Sequence, residues 1–368
     1  MDDGALSLSN ELLKLIFSYL GEGYWIFLCP VSRHWEKSYH SLYPSKKSLY
    51  SLSVESINRL EYSISVGLRH SNRSVGTGPP HFSFGLHASK EVLNVAIERG
   101  LTLRQYTSNG AAQSGRLSLL KWLIFEKGCP WSLFSVAKHS IFGGSLQILK
   151  WVIEENNWSH KMFNFSMYAS SRGQIEILEW LKQKGMLKEA YPSSLTAHAA
   201  MNGHFKAFVW LFDNGFEVGE KSSKYAVQSG SIEIIDWMNT RGYEINTHEL
   251  RAESGKGGSV HLLEYLNKKA DRKIDRRMKN EILFDALLHG NLEMCQCMLD
   301  SGAEWPNKLW DFVQKPKFPR MPALMWARIN GCSWGSWENF TCVNLISFGY
   351  AAEIKYAHEN GLTCKCVK

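Results

Sequence analysis

The chain has 368 residues, about two to three times the length of a typical single domain, so it can hold one large core or several modules in series. Hydrophobic residues make up 44% and charged residues 21%, which excludes a disordered, collagenous or disulfide-scaffold chain. Lys and Arg number 42 against 35 Asp and Glu, and the resulting +7 is too mild to argue for nucleic acid by itself. The eight cysteines are sparse, with C-x-C pairs at Cys295/Cys297 and Cys364/Cys366, and this usage fits a reducing compartment. The first thirty residues open with Asp2 and Asp3 and lack a basic stretch followed by an apolar one, so no secretory leader is expected. No stretch approaches the ~18 apolar residues of a spanning helix. A soluble intracellular protein without membrane contact is predicted, in the cytoplasm or, should its basic segment act as a localisation signal, the nucleus.

Residues 1–45 form the first predicted module. In Leu8-Ser9-Asn10-Glu11-Leu12-Leu13-Lys14-Leu15-Ile16-Phe17-Ser18-Tyr19-Leu20, the residues Leu12, Ile16 and Leu20 share one helical face, with Leu13 and Phe17 beside it. Ser9 can cap that helix. Val31-Ser32-Arg33-His34-Trp35 follows, with Val31 eleven residues after Leu20. This pattern resembles an F-box, the short helical module that docks on the Skp-type adaptor of cullin–RING ubiquitin ligases. The resemblance implies that Leu8, Leu12, Ile16, Leu20, Trp25 and Val31 sit at or near an adaptor-facing apolar surface, with Trp35 anchoring the last helix. The residues alone also fit a helical cap that covers the first repeat. Exposure of the Leu8, Leu12, Ile16, Leu20 and Trp25 face implies a docking surface, whereas burial against Tyr62 and its neighbours implies a cap.

Residues 46–68 read as a degenerate first repeat, in which Tyr62 to Gly67 fits the pattern of the later units. Residues 69–81, Arg-His-Ser-Asn-Arg-Ser-Val-Gly-Thr-Gly-Pro-Pro-His, have loop composition without periodicity and are expected to be a flexible break.

Residues 82–368 carry the dominant signal, an internal period. Gly115-Arg116-Leu117-Ser118-Leu119-Leu120-Lys121-Trp122-Leu123 returns at Gly144 to Val152 and at Gly173 to Leu181, each 29 residues on. Weaker copies place Trp210, Trp237, Tyr265, Cys297, Trp326 and Tyr356 at the Trp position. A Gly usually follows five residues later, at 185, 215, 242, 302, 331 and 361, with Gly128 at six and Ala270 or Asn156 as substitutes. About eleven units are counted, at spacings of 27 to 33 residues. Each unit reads as a short helix of small residues, a Gly stop, and a second helix such as 116–127, closed by another Gly. The second helix has apolar residues at 117, 119, 120, 122, 123 and 124, a stripe too wide for one buried face, so neighbouring units must cover it on two sides.

This unit resembles the ankyrin repeat, through small residues followed by Gly-x-Leu-x-Val-Val-x-Leu-Leu-x-x-x-Gly at Ala112 to Gly128, Ala169 to Gly185 and Ala199 to Gly215. The Thr-Pro-Leu-His opening of the usual first helix is absent. Trp takes a place usually held by Leu, and Gly-Cys-Pro-Trp or Gly-Cys-Ser-Trp follows the second helix at 128–131 and 331–334. The pattern is similar to the divergent ankyrin arrays of algae, other protists and large DNA viruses, with units too short for long β-hairpin fingers. The predicted fold is therefore all-α: an ankyrin-like helical-hairpin repeat solenoid with a small helical N-terminal module.

The tryptophans fall into two groups. Those at 122, 151, 180, 210, 237 and 326 share the phase of the core Leu and Ile. Those in the turn after the second helix, Trp131, Trp158, Trp305 and Trp334, can either pack in the core or line a partner-binding groove. Residues 268–279 hold seven basic residues in twelve. If helical, Lys268, Lys269, Arg272, Lys273, Arg276 and Arg277 form one basic face, read as a solvated surface, a localisation signal, or a contact for an acidic or nucleic-acid partner. Gly255-Lys256-Gly257-Gly258-Ser259 lacks the spacing of a phosphate loop. Cys295 and Cys297 stand where other units have Leu and Trp, which assigns them to the core. No catalytic set stands out from the repeat pattern, so no enzyme, cofactor or metal site is expected. Small molecules and nucleic acid are not expected partners. The predicted work is protein binding: either an F-box-type adaptor with the repeats choosing the target, or a repeat scaffold with no ubiquitin link.

Overall fold

A computed structural model describes residues 12, 13, 16, 35, 54–65, 80–156, 165–187, 194–219, 221–270, 272–305, 320–334 and 350–362. Among them every regular element is helical and no strand occurs. The chain divides into two compact units, Met1–Ala169 and Ser170–Lys368.

In the first unit, α1 (Ile57–Ser65) is followed by α2 (Pro80–His87) with α3 (Lys90–Glu98), α4 (Gln105–Gln113) with α5 (Leu117–Lys121), α6 (Leu133–Phe142) with α7 (Leu146–Lys150), and α8 (Phe165–Ser171). α4 lies between α2 and α6, and α1 packs on α3. Small residues make this approach possible. A Cβ added to Gly85 of α2 would lie 1.9 Å from the Thr107 carbonyl oxygen, one on Gly110 of α4 2.2 Å from that of Phe82, and one on Gly143 1.9 Å from that of Gln113. The backbones themselves are in contact, leaving no space for a methyl group between them.

The second unit repeats the arrangement with α9 (Ile175–Gln183), α10 (Ser194–Met201), α11 (Phe205–Asp213), α12 (Ser222–Ser229), α13 (Ile232–Thr240), α14 (Thr247–Gly257), α15 (Val260–Lys269), α16 (Arg276–His289) and α17 (Leu292–Asp300), followed by α18 (Arg320–Ile329) and α19 (Ala351–Glu359). Here α10, α12, α14 and α16 form one packed row, and α9, α11 and α13 another. Gly255 and Gly257 again meet carbonyl oxygens, each 2.6 Å from where a Cβ would stand. The core runs between the rows, for instance through Ile282, Leu283, Ala286, Met294, Cys295, Leu324 and Ile354.

Second helices bury the wide stripe that their sequence requires. Leu119, Leu120, Trp122, Leu123 and Ile124 are all buried, as are Trp151 and Trp180 at the repeated Trp position, whereas Trp210, Trp237, Tyr265, Cys297, Trp326 and Tyr356 are half-buried. N-terminal caps come from serine, asparagine or aspartate: Ser89, Ser132, Ser145, Asn246, Ser259 and Asp275 each accept a bond from the amide three residues on.

The second helices end in a recurring turn. The amide after the closing Gly donates to a carbonyl five residues back, as in Leu101 to Ala96 (2.9 Å), Met186 to Leu181 (2.8 Å), Cys332 to Ala327 (2.9 Å) and Leu362 to Ala357 (2.9 Å), the bond of a Schellman motif. Gly128 comes one residue late because α5 continues into a π-helical turn at Trp122–Glu126, where Lys127 N–H reaches Trp122 O at 3.2 Å. The turn absorbs the extra residue and returns the chain to register at Cys129, whose amide bonds Leu123 O at 2.8 Å.

Three expectations are adjusted. The second helix read as 116–127 is α5, Leu117–Lys121, plus the π turn. The loop read as 69–81 ends earlier, because α2 begins at Pro80, a residue suited to a first helical turn; positions 69–79 lie outside the described residues. Ala270 and Asn156 do not reproduce the Gly stop, with φ of −95° and −101°. Asn156 follows a second π turn, Trp151–Glu155, and caps it, so the position equivalent to Gly128 is 157, outside the described residues.

Gly143→Ala is expected to cost about 3 kcal/mol or more, the upper end of overpacking, because the clash is with backbone and cannot be relieved by a rotamer change. Gly128→Ala, at φ +64° with open space around it, should cost only about 1 kcal/mol of left-handed strain. Urea unfolding of the two variants measures the difference, and equal losses would mean that α4 and α6 separate freely.

Candidate interaction surface

Of the apolar face assigned to the N-terminal module, Leu8, Leu20, Trp25 and Val31 lie outside the described residues. Leu12 is 43% exposed, Ile16 is half-buried, and Leu13 next to them is completely buried. Trp35 is helical and half-buried.

The turn tryptophans are engaged with the following hairpin. Trp131 stacks on Trp151 with centroids 5.5 Å apart, Trp305 meets Trp326 at 5.9 Å, and Trp334 meets Tyr356 at 6.4 Å. The Trp305 indole N–H donates to Asn330 O at 2.9 Å and that of Trp334 to Asn360 O at 3.0 Å, each acceptor being the residue that caps the next second helix. The two asparagines fold their side-chain amides back onto Trp326 O and Tyr356 O. Trp131 and Trp305 remain half-buried and Trp334 is buried, with the Arg328 guanidinium 4.5 Å from the centre of its ring. Trp158 lies outside the described residues.

The basic segment is not one helical face. Lys268 and Lys269 end α15, Ala270 is extended, and Asp275 caps α16, whose first residues are Arg276 and Arg277. Lys269 Nζ bonds Asp236 at 2.7 Å, Arg276 pairs with Glu304, and Arg277 Nε lies 3.2 Å from Glu281. Lys269, together with Tyr265, holds the Asp236 carboxyl below its ordinary range. These exposed pairs contribute little to stability. Arg272 and Lys273 stand exposed in the loop.

A feature that sequence reasoning missed is a row of rings across α2, α6 and α8. Phe82 reaches His139 at 5.3 Å, His139 meets Phe142 edge-on at 5.8 Å, and Phe142 meets Tyr168 edge-on at 5.6 Å. The small residues of α4, Gly110, Ala111 and Ala112, leave room for the first of these contacts over the helix between. Lys138 Nζ lies 5.4 and 5.3 Å from the Phe142 and Tyr168 rings, close enough for cation–π attraction. All five residues are half-buried. His139 and Tyr168 are one 29-residue period apart, a shared register that could have flagged the row.

Burial pushes the thiols of Cys129 and Cys332 up to about 11 and that of Cys295 to about 12, so all three stay protonated near neutrality and act as core residues. Among the described residues no group of three His, Cys, Asp or Glu side chains could hold a metal ion, and no helix is long and apolar enough to cross a membrane. Compared with models of known protein families and with curated protein sequences, the chain matches none.

Burial first, and then the Lys138 charge, lowers the His139 imidazole to about 4, with its Nδ1 3.1 Å from Gln113 Oε1. The unfolded chain takes up this proton near the ordinary 6.5, before the folded chain does. The contribution of His139 is therefore fully present above about 6.5 and is lost as pH falls from there through about 4. Urea unfolding at about pH 7 and about pH 4 should show a larger acid loss for the native chain than for His139→Gln; equal losses would remove His139 from the balance.

Proposed function

We propose that the chain is a protein-binding adaptor whose hairpins, residues 82–368, form an ankyrin-like array that holds a target. In this reading residues 1–45 act as an F-box and dock on a Skp-type adaptor of a cullin–RING ubiquitin ligase, in the cytoplasm or nucleus. The observation that carries the docking half is Leu12, 43% exposed beside a Leu13 that is completely buried. An isolated exposed leucine is commonplace. This one occupies the row that the resemblance assigns to the adaptor, and a cap would spend that side chain on the first repeat. Half-buried Ile16, one turn further on, fits the edge of the same face.

A second reading, a repeat scaffold with no ubiquitin link, draws on the ring row of Phe82, His139, Phe142 and Tyr168. Aromatic side chains with both an apolar face and a polar edge are effective partner anchors. That surface serves a partner whatever the N-terminal segment does.

Pull-down of a purified Skp-type adaptor by the full chain and by the double variant Leu12→Asp/Ile16→Asp separates the two readings, once circular dichroism has established that both are folded. Binding by the native chain and its loss in the variant are expected. Absence of binding by both would leave the scaffold reading.

A further inference from the structure

In three hairpins the residue seven positions before the inter-helix glycine ties its first helix to the loop that leaves the second. Ser108 Oγ donates to Pro130 O at 2.8 Å, Thr196 Oγ1 to Glu217 O at 2.7 Å, and Arg251 Nη1 to Arg272 O at 2.7 Å. A hydroxyl has one proton to give, and the Ser108 hydroxyl also has the Gln105 carbonyl oxygen at 2.8 Å. A guanidinium has five. Arg251 is only 3% exposed, and its Nε has no hydrogen-bond partner. A buried cation with spare donors is what a missing anion leaves behind.

The same hairpin lacks a filler that three others have. Trp131, Trp305 and Trp334 each stand three residues after a left-handed glycine, at 128, 302 and 331. Counting from Ala270, which takes the glycine position here, that register belongs to Lys273. Where those three hairpins wedge an indole against their neighbour, this one has a flexible ammonium, and Arg251 reaches the loop through a guanidinium rather than a hydroxyl. A cavity of about 340 Å³ lies here, lined among others by Thr247, His248, Arg251, Arg272, Lys273 and Asp275. Asp275 is already occupied, its Oδ1 accepting from the Met278 amide at 2.8 Å. Among the described lining residues, three permanent cations thus stand beside one carboxylate that already accepts a hydrogen bond.

We infer that this cavity binds the phosphate group of a small phosphate monoester. The surplus of positive charge suits a dianion, and donors arriving from α14 on one side and the loop on another suit tetrahedral oxygens better than the planar pair of a carboxylate. The fixed fork of a buried arginine is the strongest of these donors. The volume falls within the roughly 300–1,000 Å³ of small-molecule sites, which leaves room for an ester substituent. The assignment departs from the expectation that no small molecule binds, and it does not depend on the protein-binding role.

Calorimetric titration of the full chain with phenyl phosphate, inorganic phosphate and acetate, at fixed ionic strength, tests it. Phenyl phosphate and inorganic phosphate should each bind once per chain, the ester more tightly, and acetate should not bind. Arg272→Ala/Lys273→Ala, which alters only exposed side chains, should weaken phenyl phosphate at least tenfold. Arg251→Met should abolish binding if circular dichroism finds it folded; if it is not folded, the exposed double variant decides. In arginine-labelled protein the Nε–H resonance missing from Arg251→Met should shift when phenyl phosphate is added. No saturable binding, binding of inorganic phosphate without the ester, equal binding of acetate, or unchanged binding in the double variant would each overturn the assignment.

Discussion

The Gln113 carbonyl lies against the Gly143 α-carbon, and the Thr107 and Phe82 carbonyls lie against Gly85 and Gly110 in the same way. This contact of backbone with backbone is the constraint from which the first unit is built. Helices that touch at their backbones have little side-chain volume to contribute at the seam. The apolar mass must therefore come from the second helices, which explains why α5 buries residues over such a wide arc. It also explains the ring row, because rings near the seam can lean over a helix that offers only Gly and Ala.

Given that packing, the position of each hairpin depends on turns that stop both helices at a fixed place. The Schellman bonds set the exit angle of the glycine-closed loops, and the π turn after α5 keeps that angle when the unit is one residue longer. The loops then reach forward. At Trp305 and Trp334 an indole joins the turn to the cap of the next second helix, combining ring packing with a hydrogen bond. At Lys273 there is no such indole, and open space lies beside it.

The periodic part of this architecture was legible in the sequence. Helical hairpins, the left-handed glycines and the buried phase of Trp122, Trp151 and Trp180 all follow from spacing and residue type. What was not legible depends on contacts between units. Sequence phase does not say that Trp131 turns back onto Trp151, nor that Phe82 and His139 meet across α4, because both contacts join residues on different hairpins. The basic segment misled for a local reason. Its four-residue charge spacing imitates a helix, yet the Asp275 cap starts a new helix partway along and the extended Ala270 has already ended the previous one. The unpaired Nε of Arg251 could not be foreseen, since the same position holds Ser108 and Thr196 in the two other hairpins with this tie, and a hydroxyl there has only one proton to place.

The forward-pointing indoles give the C-terminal hairpins a polarity. Trp334 donates toward Asn360, and Trp305 toward Asn330, so each loop depends on the helix that comes after it. Both sides lose a ring partner when either is removed, but removing a downstream helix also leaves an indole N–H without its acceptor, whereas removing an upstream loop leaves a helix-end carbonyl able to turn to water. Under tension or local fraying, damage therefore travels toward the N-terminus more readily than away from it. At these two joints the direction of the indole N–H bond decides which side is left with an unpaired donor.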